Sequence, residues 1–159
     1  MSPRQGENSQ RPQALIRAGG LADLNELLAV EARFPSDRLS ARQFRRHLQS
    51  RSAWLGVADV AGRVAGYALV FFRRGAGRAR LYSIAVDPTV RGQGLGTCLL
   101  VAAEAAARAR GATGLALEVR TDNVVAIQLY ERAGYQRFGC YPGYYEDGCD
   151  AWRLHKVLG

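Results

Sequence analysis

The chain has 159 residues, the length of one domain, and its 48% hydrophobic and 23% charged residues exclude a disordered chain. No apolar run is long enough to cross a bilayer, and the opening MSPRQGENSQRPQ lacks the apolar core of a secretory signal. The 22 basic residues against 14 acidic ones give a net charge of +8, which suits an anionic partner: nucleic acid, the ribosome or a phosphorylated cofactor.

In chain order, residues 1–12 read as a disordered tail and residues 13–159 as a single domain. QALIR at 13–17 predicts a first strand. Residues 20–34 carry Leu21, Leu24, Leu27 and Leu28 at helical spacing and predict one helix, stopped by Pro35. Ser40 is the candidate N-cap of a second helix, with Phe44 and Leu48 four apart. AWLGVAD and RVAGYALVFF read as two strands around a turn at 60–62, and ARLYSIAVD as a third, ended by Pro88. A long helix follows, with Leu95, Leu99, Ala102 and Ala106 as its inward stripe, Arg108 and Arg110 complementing its dipole, and Gly111 after its end. GLALEVR is another strand. NVVAIQLYERAG is a last helix, starting at Asn123 and ending at Gly134. YQRFGCY and DAWRLHKVL close the chain as two strands joined by PGYYEDGC.

The order β-αα-βββ-α-β-α-ββ combines an antiparallel meander with a right-handed parallel crossover near residues 79–119. It predicts an α/β fold with one mixed sheet and helices on both faces. The three cysteines show no CxxC spacing and read as reduced thiols of a cytoplasmic protein, Cys98 as a small core residue and Cys140 and Cys149 as neighbours across a turn. His47 and His155 lack ligand-like neighbours, so no metal site is expected.

RGQGLG, residues 91–96, is the segment that regular structure does not explain. Glycine at this density weakens strands and helices alike. Between a strand and a helix it leaves a bare backbone at the helix N-terminus, where unpaired amides and the helix dipole favour an anion, and Arg91 adds a full positive charge. No Gly-Lys-Ser/Thr follows, so it is not a P-loop, and the glycine spacing is not that of a dinucleotide fingerprint.

SIAVDPTVRGQGLGTCLL resembles the acetyl-CoA-binding signature of the GNAT N-acetyltransferases, Arg/Gln-x-x-Gly-x-Gly/Ala, with Arg91, Gly94 and Gly96 at its fixed positions. LEVRTDNVVAIQLYERAGY resembles the second half of that domain, and with GYYEDGCDA it is most similar to the RimI-type protein N-terminal acetyltransferases. The resemblance implies the GNAT fold, about seven strands, mostly antiparallel, flanked by about four helices. It implies acetyl-CoA as co-substrate, held by the backbone around Ile84, Ala85 and Val86, where the strand should splay from its neighbour. Arg91, Gly92, Gln93, Gly94, Leu95, Gly96 and Thr97 would hold the pyrophosphate, and Asn123 and Tyr130 would complete the coenzyme site.

Glu118 is the candidate base. Leu115, Leu117 and Val119 alternate onto one face of their strand and leave Glu118 on the other, with Ala116 and Arg120. Read from its own sequence, Glu118 is equally a solvated edge-strand carboxylate paired with an arginine. Tyr130 is the candidate acid for the departing thiolate, or a core aromatic on the last helix. By the same resemblance Phe34, Tyr144 and Tyr145 would hold the acceptor. Ser36 follows Pro35 where RimI-type enzymes often carry tryptophan, which bears on acceptor preference.

The implied acceptor is a protein or peptide N-terminus, that of a ribosomal protein included, with a lysine, polyamine or other small amine as the alternative. The partner expectations are no membrane, no direct nucleic-acid binding, and a monomer or homodimer. FFRRGAGRAR keeps a nucleic-acid-binding module open as a non-enzymatic reading, although no nucleic-acid motif accompanies it.

Overall fold

The computed structural model describes residues 14–35 and 37–159, so the tail at 1–12, Gln13 at the start of the expected first strand, and Ser36 lie outside the described residues. Seven strands form one sheet in the order β1-β2-β3-β4-β5-β7-β6. They are β1 (Ala14–Ala18), β2 (Ala53–Val60), β3 (Arg63–Phe71), β4 (Arg78–Val86), β5 (Gly114–Arg120), β6 (Gln136–Tyr141) and β7 (Ala151–Val157). Every neighbouring pair is antiparallel except β4 with β5. The mixed sheet and its one parallel crossover are those the element order predicts.

Two apolar layers cover the sheet. On one face, α1 (Leu24–Glu31) and α2 (Ala41–Gln49) pack with Leu27, Val30 and Phe44 against Val57, Tyr67 and Leu69. On the other, α3 (Leu95–Ala109) and α4 (Val124–Arg132) pack with Leu99, Ala103, Ile127 and Tyr130 against Val70, Leu81, Leu115 and Leu117. Among the described residues, no helix is long and apolar enough to cross a membrane.

Local chemistry sets the element ends. Ser40 Oγ accepts from the Gln43 N–H (3.1 Å) while Gln43 Oε1 accepts from the Ser40 N–H (2.9 Å), a reciprocal cap that starts α2 where expected. Asn123 Oδ1 accepts from the Ala126 N–H and starts α4. Ala61 and Gly62 both have positive φ, the geometry of a two-residue hairpin turn between β2 and β3.

Three expectations are corrected. The first helix is not continuous over 20–34. A 3₁₀ turn at Leu21–Asp23 precedes α1, which ends at Glu31, well before Pro35. The chain leaves it through tighter i→i+3 bonds from Arg33 and Phe34, and Leu21 is 51% exposed. The inward stripe of α3 is Leu95, Leu99, Ala103 and Ala107, not Ala102 and Ala106. In an alanine-rich helix the next turn can be chosen at i+3 or i+4 with equal hydrophobicity, and packing on the sheet selects i+4. Cys98 is exposed for the same reason: it lies one position off that stripe. All three thiols are free.

Candidate active site

The parallel ladder between β4 and β5 is short. It pairs Arg78 with Gly114, Ala79 with Leu115 and Arg80 with Ala116, and then stops, although β4 runs on to Val86 and β5 to Arg120. Beyond Arg80 the two strands part, as expected around Ile84, Ala85 and Val86. The gap opens into a cleft of about 450 Å³. Because the sheet is interrupted there, groups from both of its faces reach one space. Val119, Ala126 and Tyr130 line the cleft from the α4 side, and Arg80, Ser83 and Glu118 from the α1 side.

A bulge in β4 brings Arg80 and Ser83 to the same side. Val70 pairs with Leu81 and Leu69 with Ser83, so Tyr82 is an extra residue. Before it, Ala79 and Leu81 face α3. After it, Ile84 and Val86 do, while Ser83 and Ala85 turn toward α1. Strict alternation along ARLYSIAVD cannot reveal this change of phase.

Glu118 lies on a central strand, between β4 and β7, and not on an edge. Its side chain is 15% exposed and accepts from Arg80 Nε at 3.0 Å. The arginine partner of the alternative reading is therefore present, but the carboxylate faces the cleft. Arg80 also donates through Nη2 to the Tyr144 hydroxyl at 2.9 Å, which links the candidate base to a candidate acceptor-holding residue.

Tyr130 is buried on α4, with its ring edge-on to Tyr135. Burial pushes its phenol well above the usual tyrosine range, with a smaller contribution from Tyr145, so it stays protonated at neutral pH. Tyr145 is pushed up to about 12, by burial first and Tyr144 second.

The rim is tied by a residue to which the sequence alone assigns no role. Arg120, at the end of β5, pairs with Asp122 (3.0 Å), with Asp147 in the β6–β7 connection (2.5 Å) and more distantly with Asp37 after α1 (4.0 Å). Its guanidinium also lies over the Tyr145 ring at 4.9 Å. Those bonds hold Asp147 and Asp122 below the ordinary carboxylate range.

Beneath the cleft, buried Glu31 accepts from the Leu39 N–H (2.7 Å) and the Tyr67 hydroxyl (2.5 Å). Tyr67 spends its one proton there, so its oxygen accepts from Ser83, 3.3 Å away. Burial, and then the Glu31 charge, raise the Tyr67 phenol. Glu31 fixes the end of α1 to the loop that carries Phe34 to the cleft.

The other expected residues divide into two groups. Phe34, Ile84, Ala85, Asn123, Tyr144 and Tyr145 line the cleft with Glu118 and Tyr130. Arg91, Gly92, Gln93, Gly94, Gly96 and Thr97 do not; they form the separate turn that starts α3, and Val86 packs under the sheet. The Leu95 side chain is buried, which leaves only its backbone for a ligand.

Gly92 (φ +84°) and Gly94 (φ +74°) are left-handed, and a Cβ at either would meet nothing within 4 Å. The first bond of α3 runs from the Cys98 N–H to Gly94, so the amides of Leu95, Gly96 and Thr97 precede the helical ladder. Bare backbone, open space and leading amides together fit a pyrophosphate. Gly94→Val would fill that space and force a β-branched residue to positive φ. Calorimetric titration should show CoA affinity reduced at least roughly tenfold, an effect of about 1.4 kcal/mol. A folded variant with unchanged affinity would remove the loop from the coenzyme site.

A profile described as the acetyltransferase (GNAT) family matches residues 21–135. The chain belongs to the GNAT acetyltransferase family. An N-alpha-acetyltransferase of Sulfurisphaera tokodaii is 30% identical over 154 residues, spanning 90% of this chain and 92% of that protein. An uncharacterised N-acetyltransferase of Methanocaldococcus jannaschii is 42% identical over 101 residues, and the chain spans 64% of its length. Among solved structures, the ribosomal-protein-S18-alanine N-acetyltransferase from Escherichia coli superposes with a TM-score of 0.83 at 29% identity, covering 92% of this chain and 95% of that one. This GNAT chain thus shares its fold over 92% of its length with an enzyme named as a ribosomal-protein-S18-alanine N-acetyltransferase.

Proposed function

We propose that this GNAT enzyme transfers the acetyl group of acetyl-CoA to the α-amine of a protein or peptide N-terminus. The observation that carries the reading is the convergence of Glu118 and Tyr130, from opposite faces of the sheet, on the opening between β4 and β5. The loop 91–97 would hold the pyrophosphate, and the free edges of β4 and β5, with Asn123, the arm that follows it. Bound acetyl-CoA supplies an activated thioester carbonyl.

The chain's own groups manage the protons. An α-ammonium, with a pKa near 8, must lose one before its nitrogen can attack. The Glu118 carboxylate takes it, directly or through a water, and Arg80 fixes the orientation of that carboxylate. The protonated Tyr130 phenol would give its proton to the sulfur as the C–S bond breaks, and the second proton, shed by the acylated nitrogen, would restore the phenol. Backbone N–H groups on the edge of β4 left free beyond Arg80 would donate to the carbonyl oxygen as it gains charge. Phe34, Tyr144 and Tyr145 wall the acceptor end, and the Arg80–Tyr144 bond orders one of them.

The named activities of the relatives support an α-amine acceptor, including the N-terminal alanine of a ribosomal protein. A library of N-terminal peptides, read by mass spectrometry, tests the class and identifies the preferred first residues. A peptide with a blocked N-terminus and a free lysine should react at least roughly a hundredfold more slowly than its unblocked counterpart, a barrier difference of about 2.7 kcal/mol. Equal rates would transfer the assignment to lysine or small-amine acetylation.

A further inference from the structure

A second cleft, of about 350 Å³, lies at the other end of the sheet. The turn before β2, the β3–β4 connection with the start of β4, and the segment after α3 form it. The 15 residues of α3 separate it from the glycine turn at that helix's start, about 22 Å at 1.5 Å per residue. It belongs neither to the coenzyme loop nor to the acceptor cleft.

Its charge is one-sided. Arg51, Arg73, Arg74, Arg78 and Arg110 line it, with no carboxylate among the lining residues. None of the five forms an ion pair among the described residues. The acceptor cleft has the opposite balance: Glu31, Asp37, Glu118 and Glu146 against Arg80 and Arg120. The net charge of +8 is therefore not spread evenly. The site proposed to take a cationic amine is on balance acidic, and a purely cationic cleft stands apart from it.

The cationic cleft is also built. Arg110 donates to the carbonyls of Arg51 (2.9 Å) and Ala53 (3.3 Å), and its guanidinium lies over the Phe72 ring at 4.4 Å. The Phe72 N–H donates to Ser52 O (2.8 Å) and the Thr113 N–H to Gly77 O (2.7 Å), so both ends of the arginine-bearing connection are tethered. Five like charges held together repel one another unless an anion compensates them. One small anion engages two or three guanidinium groups, whereas a repeating row of phosphates engages all five. Among the described residues, the lining comes from connections and a strand end, with no helix to enter a duplex groove. A concave cationic cleft with exposed guanidinium planes suits a single strand, whose phosphates it neutralises and whose bases stack on those planes.

We propose that this five-arginine cleft binds the phosphodiester backbone of a single-stranded nucleic acid, independently of acetyl transfer. The test uses the full chain and short fluorescent oligo(U) and oligo(dT), read by anisotropy at salt between about 50 and 200 mM. Arg73→Glu/Arg74→Glu should weaken binding by more than about tenfold and flatten the salt dependence by about 0.7 for each phosphate no longer neutralised. Arg45→Glu/Arg46→Glu, on the exposed side of α2 and outside the lining of the cleft, makes the same change in net charge and should leave binding within about twofold. Both variants should acetylate a free peptide at the wild-type rate. Binding of either oligonucleotide with this pattern supports the site, and the ratio of the two identifies the sugar it prefers. Absence of binding, equal losses in both variants, or equally tight binding of a polyglutamate peptide would overturn it.

Discussion

Glu118→Gln should lower the rate of peptide acetylation by about 10²- to 10⁴-fold at neutral pH and leave CoA affinity almost unchanged. The amide keeps the shape of the side chain and can still accept from Arg80 Nε, so the 3.0 Å contact survives as a neutral one. What disappears is the proton acceptor. The variant must then wait for acceptor amines that are already neutral, and that fraction grows as pH rises toward and past about 8. The deficit should therefore shrink with increasing pH, which a merely structural role would not produce. Stopped assays from pH 6 to 9.5, about the titration range of an α-amine, measure it. A rate and pH profile identical to wild type would move the base to another group on the cleft.

Tyr130→Phe should cost a similar factor, about 10²- to 10⁴-fold, through a different step. The ring can keep its packing against Tyr135 and Ile127, so stability should change little, while the proton for the departing sulfur is gone. Burial raises the phenol above its ordinary value near 10. The wild type should therefore lose no activity through Tyr130 while the acceptor amine titrates. A group with a raised pKa holds its proton until the pH passes that raised value, so any such loss belongs to the alkaline extreme. A coenzyme with a more acidic leaving thiol should recover part of the missing rate in Tyr130→Phe and little in Glu118→Gln. Equal recovery in both variants would argue against the division of labour.

The sequence shows some of these groups and hides others for definite reasons. Glu118 is legible because Leu115, Leu117 and Val119 alternate cleanly, and a charge between them has to face the other way. Asn123 and Ser40 are legible because a cap is a local bond between residues three apart. Arg80 is not, since its place in the cleft depends on a bulge two residues later and on a strand 38 positions away. Arg120 is hidden similarly: its partners Asp37 and Asp147 come from segments that meet only in the folded chain. Glu31 looks like a surface residue on an amphipathic helix, yet Leu39 and Tyr67 make it the buried acceptor that ends that helix. The parting of β4 and β5 is foreseeable from the family resemblance alone; neither strand's own residues announce it.

That parting divides the sheet into two leaves, β1 to β4 and β5 to β6, joined along the strand direction by only three residue pairs. Past those pairs the Arg80–Glu118 ion pair is the first stitch across the seam, and α3, which packs on strands of both leaves, is the spine. A molecule lying in the seam and bonding to both strand edges would do the work of a missing strand. Its binding energy would then count toward holding the leaves together, so resistance to unfolding would rise with the logarithm of its concentration. The leaf edges that make room for the chemistry are in this sense an unfinished part of the fold, and the ligand that reacts there also completes it.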